Sequence, residues 1–321
     1  MKALSLKSGL KEVKSVYVFS GQDRFLFFYA LNRLKLILTP TFPDINYLTL
    51  DFNLLTPQSL YETIEALPFA DAYRLILIEN VKANNNGNAN IFKILESHAQ
   101  KTDFNTVIAL SSDAELSIKG AEVIDCSHLN EAELKIFIQN KINKNGGKIS
   151  NEAISALIDY TLNDLTRIDI ELDKLLSYKP KEEIVLSDIG SLVTKDKEYQ
   201  VFELANIIAK GDKNKCIEMI TSLSASEKSV FWIISPLYNT YRRALFVSIH
   251  KNMTDSELAK LLQIKEFAVK MLRVQVNTFS PRTLKYYMDK LYFLECDIKN
   301  GRIKEDVGLI EVVINILLKR N

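Results

Sequence analysis

The residues best placed to do chemistry lie near the start of the chain, where positions 16 to 34 read VYVFSGQDRFLFFYALNRL. A β-branched and aromatic run meets Ser20 and Gly21, and a helical pattern follows, with Leu26, Phe27, Ala30, Leu31 and Leu34 at spacings of three and four. Strand, tight turn and helix are the opening of a nucleotide-binding α/β domain. A phosphate loop here would read G-x-x-x-x-G-K-[ST], because backbone N–H groups cradle the phosphates while Lys and Ser/Thr hold phosphate and Mg²⁺. The chain instead offers Gly21, Gln22 and Asp23, then Arg24, Phe25 and Leu26. It has no second glycine and no Lys-Ser pair, and it places an acid where phosphate would sit. Glu79, in ILIEN, resembles the acid at the end of a magnesium-binding strand. Without the loop it has nothing to complete. The position is a degenerate phosphate loop, not expected to bind nucleotide.

Other reactive residues are sparse. His98, His128 and His250 have neither metal-ligand spacing nor a nucleophile–base motif, so they read as surface or helix-end histidines. Cys126, Cys216 and Cys296 are far apart and form no C-x-x-C, which argues against a zinc module or redox pair. No metal and no cofactor are expected. An odd, sparse cysteine count suits a reducing compartment, and a cytoplasmic location is expected. The N-terminal residues MKALSLKSGLKEVKS make a poor signal peptide. No run of about 18 apolar residues appears, so no membrane partner is expected.

Two further stretches carry candidate contacts. In LYETIEALPFADAYRLILIEN, residues 60–80, a helix ends at Leu67, Pro68 and Phe69 just before a buried strand. Pro68 lacks an N–H and disfavours helical geometry at Leu67, so the corner is stiff. Two readings stand at this point. The corner is tucked under the sheet as core, or it is an exposed apolar anchor for a partner. Tyr241, Arg242 and Arg243 form a cluster that reads either as a solvated helix face or as a contact to phosphate or a subunit.

The elements that position these residues follow from periodicity. The 321 residues are 47% hydrophobic and 25% charged, with net charge +1, enough for two or three globular domains and no bulk polyanion binder. Strands are predicted at 16–19, 47–50, 75–78, 106–110 and 123–124, with helices near 23–38, 56–66 and 89–99. This alternation implies a mostly parallel sheet. ANNNGNAN, 83–90, is a polar loop. After Cys126 the strands are expected to stop. Asn130 is a candidate N-cap with Glu133 three residues on. Amphipathic helices follow, closed by Lys179 and Pro180, and a short helical piece starts at Ser187. From Glu198 onward everything reads helical, with a stop at Gly211, an interruption at Pro236, a long run from 281 to 298 and basic residues at the C-terminus. Residues 197–321 hold 20 lysines and arginines against 14 aspartates and glutamates. The expected division is 1–126, an α/β domain; 127–196, a small helical domain; and 197–321, a second helical domain.

In this order the residues resemble the delta-subunit family of the bacterial DNA polymerase III clamp loader. VYVFSGQDRFL resembles the family's strand, glycine, acid or amide, then aromatic-Leu. EALPFADAYRLILIEN resembles its Leu-Pro-Phe corner before a strand. DLTRIDIELDKLLSY resembles a helix of its second domain, VFELANIIAKGDKNKCIEMI the start of its third, and LECDIKNGRI a late helix. There the spacing of Asp297, Lys299 and Gly301 is a looser match. The likeness runs from about residue 10 to 320. Many relatives carry a second Phe after Pro-Phe, and here the residue is Ala70.

The resemblance implies an AAA+-like α/β domain at 1–126, a lid at 127–196 and a collar or oligomerisation domain at 197–321. It implies a non-catalytic subunit of the DNA polymerase complex that does not hydrolyse ATP. The corner Leu67, Pro68 and Phe69 is expected to enter an apolar pocket of the ring-shaped sliding clamp (the beta subunit) and to favour the clamp's open form for loading on primed DNA. Implied partners are that clamp, the clamp-loader ATPase subunits and delta-prime in a hetero-pentamer, and primed DNA indirectly. The alternatives are another clamp-loader-type AAA+ subunit, disfavoured by the absence of C-x-x-C and Ser-Arg-Cys, and an enzyme with a nonstandard nucleotide site.

Overall fold

The computed structural model describes residues 2–6, 12–39, 41–82, 89–112, 116–226, 229–264 and 266–318. Most of the polar loop at 83–90 and the basic residues Lys319 and Arg320 lie outside them. The chain divides into two compact units, Met1–Asn130 and Glu131–Asn321.

The first unit holds a five-stranded sheet. Its strands are β1 (Val16–Ser20), β2 (Tyr47–Asp51), β3 (Arg74–Glu79), β4 (Thr106–Ser112) and β5 (Glu122–Asp125). They lie in the order β2-β3-β4-β1-β5 and every pairing is parallel. Parallel neighbours need crossovers, which are supplied by α1 (Arg24–Leu38), the short α2 (Pro43–Asn46), α3 (Pro57–Glu65) and α4 (Ala89–Ala99). The central strands read as continuous apolar runs because both faces are covered. Val16, Val18, Ile76, Ile78, Ile108 and Leu110 join a core with Leu60 and Ile64 of α3 and Ile91 and Leu95 of α4. Phe19 meets Phe27 of α1 edge to face, with ring centroids 5.3 Å apart. Each such side chain contributes roughly 1.5–3 kcal/mol on burial.

His98, in the last turn of α4, is buried, with Nε2 placed 2.8 Å from the Thr106 carbonyl. Burial pulls its pKa below the ordinary 6.5, and the bond to Thr106 only partly offsets this. Below pH 6.5 the unfolded chain takes up a proton that the folded chain still refuses. Stability conferred by a neutral buried His98 is therefore lost as pH falls through that window. Denaturant midpoints measured from pH 7 downward are expected to fall, and a His98→Leu variant to show a shallower slope. An unchanged slope contradicts this.

The second unit is helical apart from one small sheet. It contains α5 (Glu131–Lys144), β6 (Lys148–Ile149), α6 (Asn151–Tyr160), α7 (Leu165–Tyr178), β7 (Glu183–Ile184) and α8 (Leu186–Leu192). It continues with α9 (Lys197–Lys210), α10 (Lys213–Ser226), α11 (Phe231–Ile249), α12 (Asp255–Leu262), α13 (Glu266–Thr278), α14 (Pro281–Lys299) and α15 (Glu305–Leu318). A single apolar cluster runs from Val201 to Leu317.

Four local expectations need correction. Strands do not stop at Cys126, because β6 and β7 pair in parallel; two residues are too few for alternation to be read. Ser187 does not start α8, which opens at Leu186. The capping group is Asp188, whose carboxylate accepts from Val185 N–H (2.8 Å) and Lys179 Nζ (2.9 Å). Pro236 does not interrupt α11, which runs through it with Ile233, Ile234, Leu237 and Tyr241 buried. Packing of that face outweighs the lost hydrogen bond. Tyr241 is core rather than part of a surface cluster, with its ring 5.3 Å from that of Tyr287.

Candidate functional site

The turn at Gly21, Gln22 and Asp23 lies at the carboxyl end of β1, the end of a parallel sheet at which ligands commonly bind. Phe19, Gly21, Gln22, Asp23, Arg24, Glu79, Asn80, Ser111 and Cys126 line a cleft of about 510 Å³ there. Gly21 adopts φ +135°, and a Cβ on it would stand 2.2 Å from the Cys126 carbonyl carbon and 2.3 Å from the Ser127 nitrogen. The chain leaving β5 thus lies directly against the turn, tied by Cys126 N–H to the Ser20 carbonyl (2.7 Å) and Asp23 N–H to the Cys126 carbonyl (2.9 Å). A helix N-terminus is an anion site because its first N–H groups are orphaned. Here Asp23 answers them itself. Its Oδ1 accepts from Phe25 N–H (3.0 Å) and Leu26 N–H (3.2 Å), and its Oδ2 lies 3.0 Å from His128 Nδ1. Gln22 is exposed and Asp23 buried. Cys126 is buried too, and its thiol is pushed up to about 12, chiefly by burial. Among the described residues no cluster of His, Cys, Asp and Glu is placed to hold a metal ion.

The corner is built by the end of α3. Thr56 and Ser59 form its capping box, and Pro57 stands in its first turn. The helix stops at Glu65 because Pro68 has no N–H to give to the Ile64 carbonyl. That carbonyl accepts instead from Thr106 Oγ1 (2.8 Å), on the neighbouring β4. Leu67 is 76% exposed and Phe69 56%, with Pro68 half-buried between them. Both large side chains therefore project from the surface, and the core reading of this corner fails. Leu67 and Pro68 also edge a cleft of about 950 Å³ that includes Tyr73, Lys101 and Phe104.

A second segment fixes the corner in place. Asn46, 1% exposed at the end of α2, accepts Phe69 N–H on Oδ1 (2.7 Å) and donates Nδ2–H to the Phe69 carbonyl (2.8 Å) and to Asp71 Oδ2 (2.8 Å). The reversed amide would set its oxygen against a carbonyl and a carboxylate, so its orientation is fixed. Asp71 accepts in turn from Thr41 N–H (3.1 Å) and Phe42 N–H (2.9 Å). Burial pushes its carboxyl up, but the bonds from Phe42, Thr41 and Asn46 outweigh this and leave it below the ordinary value. Ala70 makes the turn between them at φ +54°. The Phe42 and Phe69 rings meet edge to face, centroids 5.2 Å apart, a pairing worth roughly 0.5–1.5 kcal/mol beyond its area.

Two family models match the chain. The DNA polymerase III delta subunit model covers residues 17–123, and the model of that subunit's C-terminal domain covers residues 198–316. The chain belongs to the DNA polymerase III delta-subunit family.

This is the clamp-loader family expected from the sequence. Among its members, the DNA polymerase III subunit delta of Bacillus subtilis (strain 168) is 26% identical over 347 residues, covering 99% of this chain and 96% of its own length. A probable DNA polymerase III subunit delta of Aquifex aeolicus is 24% identical over 154 residues, 47% of this chain and 41% of that one. The solved structure of the Bacillus subtilis DNA clamp loader delta protein superposes with a TM-score of 0.81 at 23% identity, covering 98% of each chain. That likeness establishes the delta fold, a parallel sheet with flanking helices followed by helical elements, as the sequence led us to expect. The two arginines of the 241–243 cluster separate: Arg242 is exposed, whereas Arg243 is half-buried and pairs with Glu198 at 3.2 Å. Sequence reasoning missed Phe42, Asn46 and Asp71. Nothing in TFPDINYL marks a site, since a four-residue helix has no readable period. Among the described residues no helix is long and apolar enough to cross a membrane.

Proposed function

We propose that this chain is the clamp-gripping, non-hydrolysing member of a clamp-loader assembly. Leu67, Pro68 and Phe69 enter an apolar pocket of the ring-shaped sliding clamp, and binding is stronger to the open ring than to the closed one. The observation that carries this is the exposure of two large apolar side chains, 76% for Leu67 and 56% for Phe69, on a corner whose backbone is fixed by a buried asparagine. Rigid exposed anchors are where interface energy concentrates, because little ordering entropy is lost on docking. The organisation we propose is 1–126 as the AAA+-like domain with the corner, 127–196 as the lid and 197–321 as the collar. The collar joins the ATPase subunits and delta-prime in a pentamer. Arg242 is available there for a phosphate or subunit contact, and Arg243 less so because of its pairing with Glu198. Titrating the purified beta clamp into the purified chain tests the reading. Saturable one-to-one binding is expected, and no binding at tens of micromolar contradicts it.

The capped turn supports an absence of hydrolysis. A phosphate approaching the α1 N-terminus meets the Asp23 carboxylate, which already holds the two N–H groups it would need. With Mg²⁺ and ATP the purified chain is expected to show no turnover above background. Magnesium-dependent turnover that follows the protein through purification overturns this.

A further inference from the structure

A second aromatic ring stands beside Phe69, brought from a distant part of the sequence. Phe42 is 39% exposed and Ile45 56% exposed, both on the segment that Asn46 and Asp71 tie to the corner. Phe42 lies against Phe69 with centroids 5.2 Å apart. The two segments are 23 to 30 residues apart in sequence, yet five hydrogen bonds make them one piece of surface. The polar groups between them are turned inward, since Asn46 is buried and both Asp71 oxygens are occupied by Thr41, Phe42 and Asn46. The large side chains exposed on this surface are apolar, Leu67, Phe69, Phe42 and Ile45, with Thr41 and Asp44 exposed beside them on the second segment.

We propose that the clamp anchor is a two-segment surface, in which Phe42 supplies the second aromatic ring beside Phe69 and Ile45 extends its apolar rim. This rests on the clamp-binding reading above. The occupant is the rim of the same clamp pocket that takes Leu67 and Phe69, because a pocket deep enough to cover Phe69 also meets the ring packed against it. A docking surface of this kind has a centre of tightly packed aromatic and aliphatic groups and an apolar margin that excludes water. Asn46 acts as a positioning residue, setting the distance between the two segments without touching the partner.

The test is the affinity of the purified beta clamp for three full-length variants, with thermal midpoints on the same samples. Phe42→Ala and Ile45→Glu are each expected to weaken binding about tenfold or more. Ile45 is exposed, so Ile45→Glu should keep the wild-type midpoint, and it decides the matter alone if Phe42→Ala does not fold. Wild-type affinity in Ile45→Glu overturns the inference whatever Phe42→Ala does, because the anchor is then confined to 67–69. The third variant, Leu67→Ala with Phe69→Ala, keeps the two failures apart. If it loses binding while Ile45→Glu does not, the two-segment surface falls and the clamp-binding reading stands. If it binds normally, that reading falls and takes this inference with it.

Discussion

The double substitution Leu67→Ala with Phe69→Ala is expected to abolish clamp binding at micromolar concentrations while leaving the chain folded. Each side chain projects from the surface, so truncation removes little that holds the domain together. Exposed substitutions usually move stability by within about 0.5 kcal/mol, and the lost Phe42–Phe69 ring contact adds roughly another 0.5–1.5 kcal/mol. Removing two buried core residues would instead cost about 2–5 kcal/mol each. The interface arithmetic runs the other way. Loss of an anchor of this size costs at least about 2 kcal/mol, or roughly thirtyfold in affinity, and here two go together. Affinity and thermal midpoint read on one sample separate the cases. Lost binding with a near-normal midpoint supports the anchor. A folded variant with wild-type affinity removes the corner from the mechanism.

Deleting residues 197–321 is expected to abolish assembly with the ATPase subunits and delta-prime while sparing clamp binding. The segment has its own core, running from Val201 to Leu317. It also leaves large apolar side chains in solvent, including Ile249, Leu261, Phe293 and Val307. Cyclic or spiral assemblies are built from such repeated faces. The cut has a local cost. Lys195, held by both Glu203 oxygens at 2.8–2.9 Å and lying over the Tyr160 ring at 4.9 Å, loses its carboxylate partner. Circular dichroism of the truncated chain is therefore the control. Light scattering after size exclusion with the partner subunits is the readout. Stoichiometric assembly by a folded 1–196 contradicts the assignment.

The sheet was legible in the sequence because its strands are short apolar runs separated by helices of the right period. Observed strand ends lie within two residues of the predicted ones. The turn between β1 and α1 was legible as well, since Ser20 and Gly21 part a β-branched run from a helical period. What was not legible is what packs against it. The closeness of Cys126 and Ser127 to Gly21, and the bond from His128 to Asp23, join positions about a hundred apart. The corner shows the same limit. Pro68 announced a helix end, but whether Leu67 and Phe69 pointed in or out depended on Asn46, Asp71 and Thr106, 23 to 42 positions away from the groups they hold. Local pattern carries propensity and period; it does not carry tertiary hydrogen bonds. The continuous helix through Pro236 was missed for a related reason, because packing along a whole face outweighed one missing donor.

The claim that the chain favours an open ring makes a demand on affinities, because a ligand shifts an equilibrium only by binding one state more tightly than the other. The direct measurement is titration of the chain against two forms of the beta clamp, the intact ring and a form whose ring interface has been broken by substitution. We expect the interface-broken clamp to bind at least about tenfold more tightly, a difference of roughly 1.4 kcal/mol available for opening. Equal affinity for the two forms would contradict the account.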